Sequence, residues 1–298
     1  MGIRDRLADP RAPDRRPRRA AYALPTLFTA GNIFLGYISI LRSFKGAMLA
    51  AGGGAAVTGA AEQFSFAARA IGAAFVLDGL DGRIARMTHT TSDFGREMDS
   101  LADVISFGMA PAVLAFAWGV QFIDHSIAEN IRTQIHNAGY FISFLFLICG
   151  ALRLARFNVQ KNPIPKNPGR PDRKYFVGMP IPAGAAMVAA VVFACNGEPL
   201  EWWMYSVAWL ALLVLLGFLM VSTWRYNSFK TFSLSKPYTT LLVLAAAGMI
   251  YLIWNYAQPV LLAVAAIYVA SGIVTRVAGS IRRRIRQARA ARAPGAPV

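Results

Sequence analysis

The sequence contains Asp78-Gly-Leu-Asp81-Gly82-Arg-Ile-Ala85-Arg86 and, eight residues later, Gly95-Arg-Glu-Met-Asp99-Ser-Leu-Ala-Asp103. This stretch places four aspartates between apolar segments that are long enough to cross a membrane. An ionised group at bilayer depth is costly and therefore rare unless it has a function. The stretch predicts a helical membrane protein and also where its functional site lies.

The spacing of the four aspartates predicts that their side chains converge. Asp78 and Asp81 are three residues apart and Asp99 and Asp103 are four apart, so each pair shares one face of a helix. A polar turn, 88–93, separates the two helices. At about 1.5 Å per residue, Asp81 and Asp99 lie about 8–9 Å from the same membrane face. Antiparallel helices about 8–10 Å apart would then surround one small volume with carboxylates.

Carboxylates that close repel one another unless cations hold them. Oxygen ligands of this kind suit Mg²⁺ or Mn²⁺, which commonly share their sites with substrate phosphates. We therefore predict two divalent cations, Mg²⁺ or Mn²⁺, held by Asp78, Asp81 and Asp99, with Asp103 shared or adjacent, and acting on a phosphoryl group. A single aspartate near a helix end is more commonly solvated or capping, and the number and spacing of these four argue against that interpretation.

The composition is that of a polytopic membrane protein. Of the 298 residues, 56% are hydrophobic and only 15% are charged. A net charge of +16 would suggest a nucleic-acid partner for a soluble protein. Here the basic residues flank apolar segments, so membrane lipids are the predicted partner and nucleic acid is not.

We predict an all-α fold with eight transmembrane helices. They lie near 25–43, 63–87, 95–120, 137–158, 180–196, 202–222, 237–255 and 258–278. Pro25 suits the start of the first helix, the Gly- and Ala-rich segment 46–61 is predicted to be a loop, and Gly108 and Pro111 should loosen the third helix. Basic tails, 1–22 and 281–298, flank the helices.

The distribution of basic residues predicts the orientation in the membrane. With eight helices, 27 of the 31 Lys and Arg residues lie on the side that both termini share. Those on the other side are Arg42, Lys45, Arg69 and Arg132. The positive-inside rule places the termini and the carboxylates on the cytoplasmic side of a bacterial-type inner membrane.

The chain resembles the CDP-alcohol phosphotransferases, because it meets every fixed position of their signature: Asp78-x-x-Asp81-Gly82-x-x-Ala85-Arg86, eight residues, then Gly95-x-x-x-Asp99-x-x-x-Asp103. The resemblance implies a six-helix core, here 23–224, with two additional helices in 225–280, and a homodimer. It also implies transfer of a phosphatidyl group from a CDP-linked lipid to an alcohol, with release of CMP.

Within this family, the surrounding sequence resembles the integral-membrane phosphatidylserine synthases. The stretches that carry this resemblance are Leu24–Asn32, Met98–Pro111, Leu152–Asn158 and Phe176–Pro182. They imply CDP-diacylglycerol as the donor and L-serine as the acceptor. Glycerol 3-phosphate, an inositol phosphate or choline are the acceptors of the alternative within the family.

The resemblance also implies roles for individual residues. Asp103 would be the general base, and it must then be the aspartate least engaged with metal. Arg86 would meet the diphosphate of the CDP-lipid. Gly82, Ala85 and Gly95 would line the same CDP-lipid site, where the glycines leave room for the nucleotide.

Three polar residues on other helices lie level with the carboxylates. Asn32 either makes a hydrogen bond between helices or contacts the CDP-lipid. Arg153 and Arg156 either bind the lipid phosphate or the serine carboxylate, or anchor their helix at the membrane surface.

Two other classes of protein use intramembrane acids or bind lipids. An ion transporter would place its carboxylates near mid-membrane and carry inverted repeats, whereas these aspartates lie at one end and no repeat is evident. A non-catalytic lipid-binding scaffold would need no metal.

Overall fold

The computed structural model describes residues 19–52, 56–87, 93–124, 127–161, 175–227 and 239–291. In this part of the chain the helices are α1 (Arg19–Ala51), α2 (Ala56–Met87), α3 (Asp93–Asp103), α4 (Ala110–Gly119), α5 (Glu129–Lys161), α6 (Ile181–Ala194), α7 (Trp203–Val221) and α8 (Thr239–Ala291). A π-helical segment, Val104–Met109, joins α3 directly to α4. Strands β1 (Tyr175–Val177) and β2 (Arg225–Asn227) form one antiparallel pair.

The described residues confirm a helical membrane protein. Five segments are long and apolar enough to cross a membrane: Leu27–Ala51, Phe94–Gly119, Glu129–Val159, Trp203–Val221 and Ala247–Arg276. The apolar helix α6 is shorter, with 14 residues, and α2 carries the first two aspartates of the signature. The predicted total of eight spans stays a prediction.

The first two helices are longer than predicted. α1 begins at Arg19 rather than at Pro25, and it continues to Ala51, while α2 begins at Ala56. The prediction of a loop over 46–61 is therefore wrong for most of that segment. Alanine has the highest helix propensity, and Gly46 allows close packing, because a Cβ there would lie 2.9 Å from the Phe64 ring.

The predicted spans 237–255 and 258–278 form two parts of one element, α8. Between them Tyr256 leaves helical geometry (φ −137°, ψ 50°), and Pro259 follows. A proline inside a helix lacks the backbone donor and clashes with the carbonyl four residues earlier, which accounts for the kink. The backbone stays helical to Ala291 and so includes most of the predicted basic tail.

Helices α1 and α2 pack along each other in opposite directions. Gly31 lies beside Leu77, at the end of α2 that carries the aspartates, and further along α1 Ser39 Oγ donates a 3.0 Å hydrogen bond to Ala67 O. In the core beyond, Trp209 of α7 packs edge-on against Trp118 of α4, with ring centroids 5.1 Å apart. The first two contacts join α1 to α2, and the tryptophan pair joins α4 to α7.

The short sheet and α6 hold α8 against the rest of the protein. Tyr226 of β2 is fully buried, its ring centroid lies 5.7 Å from that of Tyr268, and Gly272 lies against it with no room for a side chain. Gln258 Nε2 also donates a 3.0 Å hydrogen bond to Phe193 O at the end of α6. Tyr268 is thereby held on the inner side of α8.

Replacing Gly36 by alanine is expected to destabilise the protein by about 1–3 kcal/mol, because overpacking forces the backbone to move. A Cβ at Gly36 would lie 2.8 Å from Ser106 Cα. The matched control is Gly72→Ala, since a Cβ at Gly72 meets nothing within 4 Å and alanine favours the helix by about 0.5–1 kcal/mol. Thermal unfolding in detergent should separate the two variants. Equal melting temperatures would contradict the close approach of α1 to the π-helical segment.

Candidate active site

Three of the four signature aspartates converge. Asp78 lies on α2, and Asp99 and Asp103 lie one turn apart on α3. One carboxylate oxygen from each lies within 4.8 Å of the other two. The spacing of four residues puts the α3 pair on one face, and α2 brings Asp78 to that face. The predicted convergence is confirmed for these three residues.

The remaining signature residues are placed by their backbone. Asp81, Ala85 and Arg86 belong to α2, but their side chains lie outside the described part of the structure, so the contributions predicted for them stay predictions. Gly82 is exposed, and Gly95 is partly exposed near the start of α3.

The π-helical segment begins directly after Asp103 and binds α1. Ser106, fully buried in this segment, donates a 2.8 Å hydrogen bond from Oγ to Asn32 O. Gly36, one turn further along α1, permits this close approach. π-Helical turns commonly occur at functional sites, and here the turn seats α1 beside the aspartates.

Asn32 is only 2% exposed, and it is the backbone carbonyl of Asn32 that makes the hydrogen bond between helices. Its side-chain Oδ1 is buried and has no hydrogen-bond partner within the described ranges. Asp103 Oδ1 is also buried and has no hydrogen-bond partner among the described residues. Buried polar atoms are nearly always satisfied in native proteins. Carboxylate and amide oxygens are ligands that hard divalent cations prefer, so the residues present fit a metal ion.

Arg153 of α5 brings a positive charge to the cluster. Its guanidinium interacts electrostatically with Asp103 and with Tyr268 of α8, and it lies 5.6 Å from the centroid of the Phe157 ring. Arg153 Nε is buried without a hydrogen-bond partner in the residues described. Arg156, the second predicted arginine, is exposed. The structure therefore distinguishes the two arginines.

No local sequence pattern indicates that Asn158 and Tyr268 help to position the site. Asn158 Nδ2 at the end of α5 donates a 2.8 Å hydrogen bond to Ser100 Oγ, and Ser100 Oγ donates to Arg96 O at 2.9 Å. This contact ties α5 to the helix that carries Asp99. The partners are 58 residues apart, so no local pattern indicates the contact, and the same holds for Tyr268.

The fold and the site define a polytopic helical membrane protein with an acidic cluster that can hold metal ions. The chain belongs to the CDP-alcohol phosphatidyltransferase family, whose sequence model matches residues 22–214. The match includes all the signature aspartates and ends before α8 begins.

Among similar proteins, a CDP-diacylglycerol–serine O-phosphatidyltransferase of Helicobacter pylori is 39% identical over 214 residues, which is 72% of this chain and 76% of the relative. A protein of the same name from Methanocaldococcus jannaschii is 33% identical, over 58% of this chain and 70% of the relative. An archaetidylserine synthase of Methanothermobacter thermautotrophicus is 34% identical, over 56% of this chain and 57% of the relative.

Proposed function

We propose that the protein transfers the phosphatidyl group of CDP-diacylglycerol to the hydroxyl of L-serine, giving phosphatidylserine and CMP. The observation that carries the proposal is the convergence of Asp78, Asp99 and Asp103 beside Arg153 in a chain of this family. Relatives named for serine transfer support the acceptor, and the H. pylori relative is matched over 76% of its length. Family membership favours neither an ion transporter nor a non-catalytic scaffold.

Two divalent cations, Mg²⁺ or Mn²⁺, are proposed to bind Asp78, Asp81 and Asp99, with Asp103 shared or adjacent. When bound, they would neutralise the charge of the diphosphate and stabilise the charge that develops on its oxygens. The unpartnered oxygen of Asp103 and the grouping of three carboxylates support this assignment.

Asp103 is proposed to take the proton from the serine hydroxyl. The hydroxyl oxygen then forms a bond to the β-phosphorus, and the bond from that phosphorus to the oxygen of CMP breaks. The phosphatidyl group moves directly to serine, so no covalent enzyme intermediate is needed. Arg86 is assigned to the diphosphate. Gly82, Ala85 and Gly95 are assigned to the CDP-lipid site, where the two glycines would leave space for the nucleotide.

Arg153 and Asn32 are proposed to complete the substrate site. Arg153 combines a buried Nε with electrostatic contact to Asp103, so it can bind the serine carboxylate or the lipid phosphate. Arg156 is assigned to the same anions at the exposed edge. Asn32 has a buried amide oxygen without a hydrogen-bond partner among the described residues, and this oxygen is proposed to contact the CDP-lipid.

Replacing Arg153 by lysine is expected to raise the KM of one substrate about tenfold, because lysine keeps the charge but loses the planar pair of donors. Steady-state CMP release measured against serine and against CDP-diacylglycerol identifies which substrate is affected. Arg156→Lys, at the exposed position, is the matched control and should change either KM less. Unchanged KM values for both substrates in Arg153→Lys would assign Arg153 to membrane anchoring.

The proposed organisation has residues 23–224 as the catalytic core and 225–280 as two additional spans, with basic tails 1–22 and 281–298. Eight spans would place both termini and the aspartates on the cytoplasmic side of the inner membrane. The excess of Lys and Arg on that side supports this orientation. A homodimer is proposed from the family resemblance.

The acceptor is tested with purified protein and CDP-diacylglycerol, offering L-serine, glycerol 3-phosphate, an inositol phosphate or choline separately. CMP release should require serine, and the lipid product should be phosphatidylserine. Release that depends on another alcohol, with none for serine, would overturn the acceptor while leaving the family assignment intact.

A further inference from the structure

A cationic cluster lies on α1 and α2, away from the aspartates. Arg42 Nη1 donates a 2.7 Å hydrogen bond to Gln63 Oε1. The guanidinium carbons of Arg42 and Arg69 lie 4.4 and 5.9 Å from the centroid of one ring, that of Phe66. Two positive charges therefore converge on the Phe66 ring, and the side-chain amide of Gln63 holds Arg42 in place.

In the described part of the structure the cations of this cluster are not paired with carboxylates. Neither Arg42, Arg69 nor the exposed Lys45 forms an ion pair with any residue described. Like charges brought together cost free energy, and an anion between them removes that cost. The planar forks of two arginines suit a phosphate group in particular.

The cluster lies towards the membrane face opposite the aspartates. Arg42 follows Asn32 by ten residues and Arg69 precedes Asp78 by nine, which is about 14–15 Å along either helix. With the aspartates about 8–9 Å from one face of a hydrocarbon core about 30 Å thick, the arginines lie about 7 Å from the other face. Arginine side chains at that depth reach the headgroup phosphates.

The surroundings of the cluster indicate a lipid rather than a free anion. Phe66 is exposed, and so are large apolar side chains near Arg42 along α1, as expected for contact with acyl chains: Leu41, Phe44 and Met48. The charges also favour an anionic lipid over a zwitterionic one, because the cation of a choline headgroup would meet three positive side chains.

We propose that Arg42, Arg69 and Phe66 form a binding site for the phosphate of an anionic phospholipid in the leaflet opposite the catalytic site. Arg42 and Arg69 bind the phosphate oxygens, and Lys45 adds charge at the edge. The site is independent of the serine transfer, so either proposal can fail without the other.

The test is lipid binding to the purified full-length protein, followed by native mass spectrometry with phosphatidylglycerol or phosphatidylcholine. The double variant Arg42→Gln/Arg69→Gln should bind one phosphatidylglycerol fewer than the wild type, with affinity at that site reduced at least about tenfold per arginine. Phosphatidylcholine binding should be unchanged. Arg132→Gln, which removes another arginine predicted on that side, is the control and should retain the lipid.

Phe66→Leu keeps both charges and removes the ring, so it should weaken phosphatidylglycerol binding at this site severalfold. This variant tests the proposal if the double variant does not fold. Retention of the full phosphatidylglycerol count in the double variant would overturn the proposal. The proposal would also be overturned if Arg132→Gln, and not the double variant, bound one phosphatidylglycerol fewer. A site that binds phosphatidylcholine as well as phosphatidylglycerol, and from which millimolar inorganic phosphate displaces the lipid, would overturn it too.

Discussion

Replacing Asp103 by asparagine is expected to lower kcat by about 10²- to 10⁴-fold, the usual contribution of a positioned general base. The amide has nearly the shape of the carboxylate, so the contacts around the start of the π-helical segment should persist. It cannot accept the serine proton. Single-turnover CMP release, with enzyme in excess over CDP-diacylglycerol and with saturating serine, measures the chemical step directly.

Asp124→Asn is the matched control, because Asp124 lies in the segment between α4 and α5 and outside the acidic cluster. It should retain full activity, and Asp103→Asn should unfold near the wild-type temperature. Full turnover in Asp103→Asn would remove this residue from the mechanism, although the other aspartates could still hold metal.

Chelation of divalent cations is expected to abolish CMP release, and Mg²⁺ or Mn²⁺ should restore it. Cation binding should also raise the free energy of unfolding, because a cation that binds only the folded state adds about 2.7 kcal/mol when present at 100 times its Kd. Asp99→Asn should lose both effects, since it removes one of the three converging carboxylates.

The chelated proteins give a sharper comparison. Without cations, Asp99→Asn should be at least as stable as the wild type, because one like charge is gone from the cluster. With cations the order should reverse. A thermal unfolding series with and without Mg²⁺ checks this reversal. Equal stabilisation of both proteins by Mg²⁺ would place the cations elsewhere.

The helical class and most of the acidic cluster could be predicted because both depend on local periodicity. The four-residue spacing of Asp99 and Asp103 defines a helix face whatever the rest of the chain does. The positions of Asp78 and Asp99 on either side of a short polar turn make their approach a matter of helix geometry. The structure brings these three aspartates together.

Other features depend on contacts between distant parts of the chain, and no local pattern contains them. The three-residue strands β1 and β2 are too short to show alternation, and their pairing joins segments about 50 residues apart. Tyr268 interacts with Arg153 only because α8 packs against the rest of the protein. The contacts of Tyr226 with Tyr268 and of Gln258 with Phe193 hold α8 there. The glycines of 46–61 favour the prediction of a loop, although residues on both sides of 53–55 are helical. One of these glycines, Gly46, lets the Phe64 ring pack closely against α1.

The π-helical turn over Val104–Met109 has a geometric consequence for the whole span. One additional residue in a helix rotates everything beyond it by about 100° relative to what precedes it. The direction in which the aspartates project from α3 is therefore independent of the directions in which the side chains of α4 project. Most residues of α4 are buried. The same membrane-spanning segment can thus present carboxylates on one face of α3 and be buried in the protein along α4, and deleting one residue from the π-helical turn would rotate the two parts relative to each other.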